Sequence, residues 1–242
     1  MRKRLTILLK LVLAGTLTMF SVVACFAPLS SEDFVRIFAE KDPKAPVLRA
    51  STGVEDFPAL SPARLKAVKR YSTEYGLDYR LILAIMKQES QFNEHARSGR
   101  GARGYMQIMP VTNSQLRDEL DLPDPEVPVQ NIRTGIYYFS KLYSLFPGMS
   151  ETDRLSFALA AYNAGPARIY DAQVLAAYIG EDAKSWTSVE SILPLLSKRY
   201  YSLHQTVWSD GHPPTGCFGE FQQTIGYVHR VLKAYQEYQA AM

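Results

Sequence analysis

From Ser61 onward the apolar residues of this chain recur at intervals of three and four, in segments bounded by caps and breakers. Leu65, Val68, Tyr71 and Tyr75 form one such run, opened by Ser61-Pro62 and stopped at Gly76. Serine at the N-cap with proline at the first helical position starts a helix, since proline lacks an N–H that would go unbonded there anyway. Asp78 opens a second run from Tyr79 to about Ser90, and a third spans about Ile132 to Phe146 before Pro147-Gly148. An alanine-rich fourth begins near Thr152 and ends at Gly165-Pro166. The last places Phe221, Ile225, Val228, Leu232 and Tyr235 on a helical rhythm. No segment alternates apolar and polar residues convincingly, as a half-buried strand would. The expectation is an all-α domain over residues 61–242.

The first 60 residues read differently. Arg2-Lys3-Arg4 precede an apolar stretch from Leu11 to Ala24, the layout of a secretory signal and too short for a comfortable stand-alone span. It ends Val22-Val23-Ala24-Cys25, which resembles the lipobox of bacterial lipoproteins. The expectation is a signal peptide over 1–24, a lipid on Cys25 and a tether over 25–60, with one short helix at Glu32–Glu40. Ordinary cleavage and an uncleaved anchor are the alternatives. An anchored product would lie in the cell envelope on the periplasmic face. Phe26, which stands where an inner-membrane lipoprotein often has Asp, points to the outer membrane. Cys217 is then a lone thiol, and a Cys25–Cys217 disulfide is the rival arrangement. The chain has 27 basic and 24 acidic residues, but Arg2, Lys3, Arg4 and Lys10 belong to the leader, so the rest is close to neutral. That balance gives no support to a nucleic-acid partner.

Within the second helical run, Ile82, Ile85, Met86 and Glu89 share one face, so a carboxylate continues an apolar stripe. Either Glu89 turns to solvent at the helix end, or burial raises its pKa and keeps it protonated near neutrality, as a general acid requires. The residues that follow bear on the choice. Glu89-Ser90-Gln91-Phe92 leads to Ala96, Ser98 and Gly101-Ala102-Arg103-Gly104-Tyr105-Met106-Gln107-Ile108-Met109-Pro110. Asn131-Ile132, Gly135 and Ala158-Leu159-Ala160-Ala161-Tyr162-Asn163-Ala164-Gly165 come later. In this order the motifs resemble the lytic transglycosylases of the soluble-lytic-transglycosylase type, glycoside hydrolase family 23, over roughly residues 65–238. Asp171-Ala172, Ser185-Trp186, Leu193-Pro194-Leu195-Leu196-Ser197 and Tyr200-Tyr201 are similar to the catalytic domain of the membrane-bound lytic murein transglycosylase F group.

The resemblance implies a goose-type, lysozyme-like helical domain that acts on peptidoglycan glycan strands. It places Glu89 on the catalytic acid/base and Ser98 on a hydroxyl that contacts that glutamate or the substrate acetamido group. Gln107 and Met109 fall on cleft-lining positions, Tyr162 and Asn163 opposite the glutamate. Cleavage of the MurNAc-GlcNAc β-1,4 bond is then non-hydrolytic and leaves 1,6-anhydroMurNAc ends, with no cofactor and no metal. A lysozyme-like hydrolase and a catalytically impaired peptidoglycan-binding relative are the competing readings. In the last helix Gln223-Thr224 replaces the family's usual Glu-Thr pair, which puts Gln223 beside the substrate without a charge. Gly99-Arg100-Gly101-Ala102-Arg103-Gly104 satisfies a dinucleotide pattern literally but follows a helix rather than a strand, so a tight loop is expected instead. His95, His204, His212 and His229 show no metal-ligand spacing. For Tyr105, Trp186 and Trp208, stacking on sugars and packing in the core both stand.

Overall fold

The structure, a computed structural model, describes residues 60–120 and 127–242. The leader, Cys25, the helix expected at Glu32–Glu40 and nearly all of the tether lie outside the described residues.

The first helix, α1 (Pro62–Glu74), starts as its sequence dictates: Ser61 Oγ accepts from the Arg64 N–H at 3.4 Å, and proline occupies the first position. Asp78 caps α2 (Tyr79–Ser90) by accepting from the Arg80 N–H at 2.9 Å. The consecutive residues Leu81 to Met86 are all buried, so α2 is covered on every side rather than along a stripe. It is the central helix, and α9 (Phe221–Ala241) packs along it. On α9 packs α5 (Glu151–Ala164); α4 (Pro128–Ser144) lies between α1 and α5, with α3 (Pro110–Leu120) on α4 and α6 (Pro166–Ile179) on α5. The shorter α7 (Trp186–Ile192) and α8 (Tyr201–Val207) flank two 3₁₀ turns. Among the described residues there is no strand, only isolated bridges of Arg103 with Arg97 and with Ile108. The all-α expectation holds.

Several boundaries differ from those read in the sequence. The third run begins at Pro128 rather than near Ile132, because proline at the first position makes the preceding extended Val127 the true start. Gly165-Pro166 ends α5 as expected, but the same proline opens α6; glycine at φ 89° turns the chain between them. Tyr105 and Trp186 are core residues, at 4% and 6% exposure, and Trp186 meets Phe157 edge-on at 5.5 Å. Sugar stacking is therefore not open to either. Cys217 is a free, half-buried thiol.

Candidate active site

Glu89 sits on the last turn of α2, where two consecutive non-glycine residues, Gln91 at φ 51° and Phe92 at φ 61°, turn the chain sharply away. Such left-handed backbone costs about 1–2 kcal/mol per residue and persists only where surrounding contacts hold it. One of those contacts is the hydroxyl of Ser90, which donates to the Tyr105 carbonyl at 2.9 Å. The loop that follows thus returns across the end of α2.

That loop is a small folded unit. Arg103 exchanges two backbone hydrogen bonds with Ile108, both 3.2 Å, and Gly104 N–H donates to Ala96 O at 3.0 Å. Gly104 is required twice over. Its φ is 75°, and a Cβ there would lie 2.6 Å from the Asn131 side chain. Asn131, buried on α4, accepts from the Met106 N–H at 3.0 Å and donates to the Arg103 carbonyl at 3.0 Å. Gly135, one turn further, leaves room for the Met106 side chain to lie directly on the helix backbone.

Against this frame the Glu89 carboxyl has one hydrogen-bond partner among the described residues. The Tyr227 hydroxyl, from α9, donates to Oε1 at 2.7 Å. Burial pushes the Glu89 pKa up to about 7, and the Tyr227 hydrogen bond opposes the shift without cancelling it. No second carboxylate among the described residues contributes to that shift. Tyr162, on α5, donates to the Met106 carbonyl at 2.6 Å and lies within the electrostatic reach of Glu89. Burial, and then the Glu89 charge, raise both Tyr162 and Tyr227 well above the usual phenol value, so both remain neutral donors.

The structure brings some of the sequence-derived positions together and gives others a different occupation. Asn163 Oδ1 accepts from the Thr224 hydroxyl at 2.8 Å, joining α5 to α9 one turn from Tyr227. Gln223, exposed, borders the same small cavity as Asn163. Ser98 Oγ accepts from the Ala102 N–H at 3.0 Å and makes no hydrogen bond to Glu89. Its own proton stays available to a ligand. Gln107, at φ 45°, donates through Nε2 to the Ala96 and Gly104 carbonyls at 3.0 and 2.9 Å, so its amide braces the loop. Met109 is 38% exposed at the loop's exit. Glu220, three residues before Gln223, is paired with Arg100 at 2.6 Å.

Tyr227 is the residue the sequence reading did not assign. It stands in the Gly226-Tyr227-Val228 stretch of the last helix, but 138 positions separate it from its partner and no local pattern couples them. The positions of Asn131 and Gly135 were visible as motif residues, without any indication of what they hold.

Residues 66–180 match the family described as Transglycosylase SLT domain. The chain is 32% identical to the membrane-bound lytic murein transglycosylase F of Desulfosudis oleivorans over 169 residues, 69% of this chain and 34% of that protein. It is 41% identical to the protein of the same name from Pasteurella multocida over 166 residues, 68% of this chain and 32% of that one. This chain therefore spans about a third of the length of the curated relatives it matches. Among solved structures, the 70 kDa soluble lytic transglycosylase of Escherichia coli aligns over 72% of this chain and 23% of that chain, at 27% identity and a TM-score of 0.45.

Proposed function

The chain belongs to the transglycosylase SLT family, and on that premise we propose that it is a peptidoglycan lytic transglycosylase with Glu89 as its single acid and base. The observation that carries the reading is a carboxyl raised to about 7, hydrogen-bonded by a neutral phenol and, among the described residues, without a second carboxylate in its electrostatics. A glycosidase of the common kind uses two carboxylates, one to protonate the leaving oxygen and one to attack or to activate water. A site with one needs its nucleophile from the substrate.

The steps then balance as follows. Glu89 gives its proton to the oxygen bridging MurNAc and GlcNAc as the bond from the anomeric carbon to that oxygen breaks. The MurNAc acetamido group supports the electron-poor anomeric carbon. The same sugar's 6-hydroxyl attacks that carbon and returns its proton to Glu89, which ends the cycle protonated. The products are a 1,6-anhydroMurNAc end and a free GlcNAc hydroxyl, and no water is consumed. Tyr162 and Asn163 orient or polarise the acetamido group, and the Ser98 hydroxyl donates to the substrate. Gln107 shapes the loop that lies beside it, with Met109 and Gln223 lining the sugar path. Residues 61–242 form this catalytic domain, of the goose-type lysozyme class.

The test is the chemistry of the ends released from purified sacculi. Mass spectrometry should find anhydro ends, lighter by one water than hydrolytic ends, with the wild type and none with Glu89→Gln. Reducing ends in their place would make the protein a lysozyme-like hydrolase. Binding to sacculi without cleavage would make it an impaired relative.

The anchored state belongs to the same proposal: signal peptide 1–24, lipid on Cys25 and tether 25–60, on the periplasmic face at the outer membrane. The relatives' printed name includes membrane-bound, which supports it. Fractionation and labelling with a tagged fatty acid test it, and label that survives Cys25→Ser would refute lipidation at that position.

A further inference from the structure

We infer that a pocket one turn along α9 from Tyr227 is a subsite for a carboxylate group of the glycan strand. The inference rests on the reading of the protein as a peptidoglycan-cleaving enzyme and adds what that site selects.

The pocket, about 120 Å³, is walled by Arg100, Asn163, Arg168, Phe218, Glu220 and Gln223. Two guanidinium groups thus face one carboxylate, and Glu220 is already neutralised by Arg100 at 2.6 Å. Glu220 also feels the Arg168 charge, so the lining as a whole carries one net positive charge. Arg168 Nη1 donates to the Ala164 carbonyl at 2.9 Å, and its guanidinium lies over the Phe218 ring at 5.3 Å. Among the described residues its Nε has no hydrogen-bond partner and lies too deep for a pocket ligand to touch. The fork is therefore held in one orientation by a ring and a helix carbonyl, which fixes a half-buried charge at the pocket wall.

The other walls agree in chemistry. Asn163 uses its Oδ1 to accept from Thr224, which leaves its NH₂ donors uncommitted. Gln223 presents an amide, so this edge of the pocket adds hydrogen-bonding capacity without adding negative charge. Phe218 is itself fixed, its N–H donating to the Leu196 carbonyl at 2.9 Å, and the neighbouring Thr215 is tied to the buried Asp171. A sugar hydroxyl could meet one donor but would leave the guanidinium charge uncompensated. A carboxylate meets charge and planar geometry together. Peptidoglycan offers two such groups: the lactyl carboxylate of muramic acid once its peptide is removed, and the carboxylates of the stem peptides.

The experiment uses the full chain on four substrates: peptide-bearing sacculi and amidase-stripped glycan strands coupled to beads, each with carboxylates intact or converted to amides. Sedimentation with the non-cleaving Glu89→Gln protein reads binding, and mass spectrometry with the active protein reads cleavage. Amidation should weaken binding about tenfold, the scale of one charge-assisted hydrogen bond. A loss confined to the stripped strands would identify the lactyl group, and one confined to peptide-bearing sacculi the stem. On the Glu89→Gln background, adding Arg168→Gln should cost the same tenfold on intact sacculi and nothing further on amidated ones. Adding Gln223→Glu instead, an exposed change that spares the core, should reproduce that pattern. Equal binding to intact and amidated sacculi would overturn the subsite, as would variants that weaken both substrates alike. Carboxylate-dependent binding without any cleavage by the wild type would instead overturn the enzymatic reading and leave the subsite standing.

Discussion

A carboxyl that gives up a proton near neutrality must be kept from water yet remain within reach of its acceptor, and Glu89 meets the first demand through burial. A pKa of about 7 means the acid form dominates below neutrality, so the rate should be flat there and fall about tenfold per pH unit above it. Tyr227→Phe removes the hydrogen bond that favours the ionised carboxylate. The descending limb of its pH–rate profile should therefore move to higher pH, and an unmoved limb would show that the phenol does not tune the acid. Burial also has a stability consequence with a definite sign. Between the ordinary value of 4.5 and the folded value near 7, the folded state holds a proton that the unfolded state has lost. Stability from this group is complete at low pH and declines as pH rises through that window. Glu89→Gln should accordingly be the more stable protein above pH 7, by on the order of 2 kcal/mol in denaturant midpoints converted to free energy. The apolar stripe in the sequence made such a carboxyl conceivable, but only the packing of α9 across α2 shows that it is enclosed. A stripe records which face is apolar, and it does not record what lies against it.

At the scale of elements, the returning loop depends on α4 for two services that its sequence alone does not announce. Gly135→Ala would place a methyl group against Met106 Cβ and Cγ, both core-side atoms with no free direction to move. Alanine's helix propensity gains about 1 kcal/mol, and the overpacking costs about 1–3 kcal/mol. The expected outcome is net destabilisation in thermal melts, together with reduced turnover, because the Met106 carbonyl that positions Tyr162 moves with its side chain. Asn131→Ala leaves the buried Met106 N–H without its partner and the Arg103 carbonyl with only its Ile108 donor, and should cost about 2 kcal/mol. A loss under 0.5 kcal/mol would mean that water replaces the amide. These elements also show the limits of legibility. Helices with a side-chain cap and an apolar rhythm, α1 and α2, could be placed from the sequence almost to the residue, while the long rhythm of α9 marked its existence without its ends. The weakly patterned α3 and α6 could not, because their burial is set by neighbours brought in from elsewhere in the chain.

For the molecule as a whole, ionisable groups press on stability from two sides. Asp78, stabilised as an anion by its bonds from Arg80, and Glu94, by its bond from Arg64, have pKa values held below the ordinary range; their contribution is lost as pH falls through those values. His229 on α9 pairs with Glu190 on α7 at 2.9 Å and is raised by that bond, so its contribution is complete below 6.5 and is lost as pH climbs. Together with Glu89 this predicts greatest stability near about pH 5, read as the urea midpoint across a pH series. A midpoint that went on rising from pH 5 to 8 would contradict the assignment. The Met106 peptide group carries a further consequence. It lies in a loop, yet its N–H is bound by Asn131, its carbonyl by Tyr162, and its side chain is wholly buried. An amide held in that way exchanges its hydrogen with solvent only when α4 and α5 part from it, through an opening close to global unfolding. In deuterated water Met106 should therefore keep its proton as long as the middle of α2 does, marking the loop as part of the slowest-opening unit of the protein.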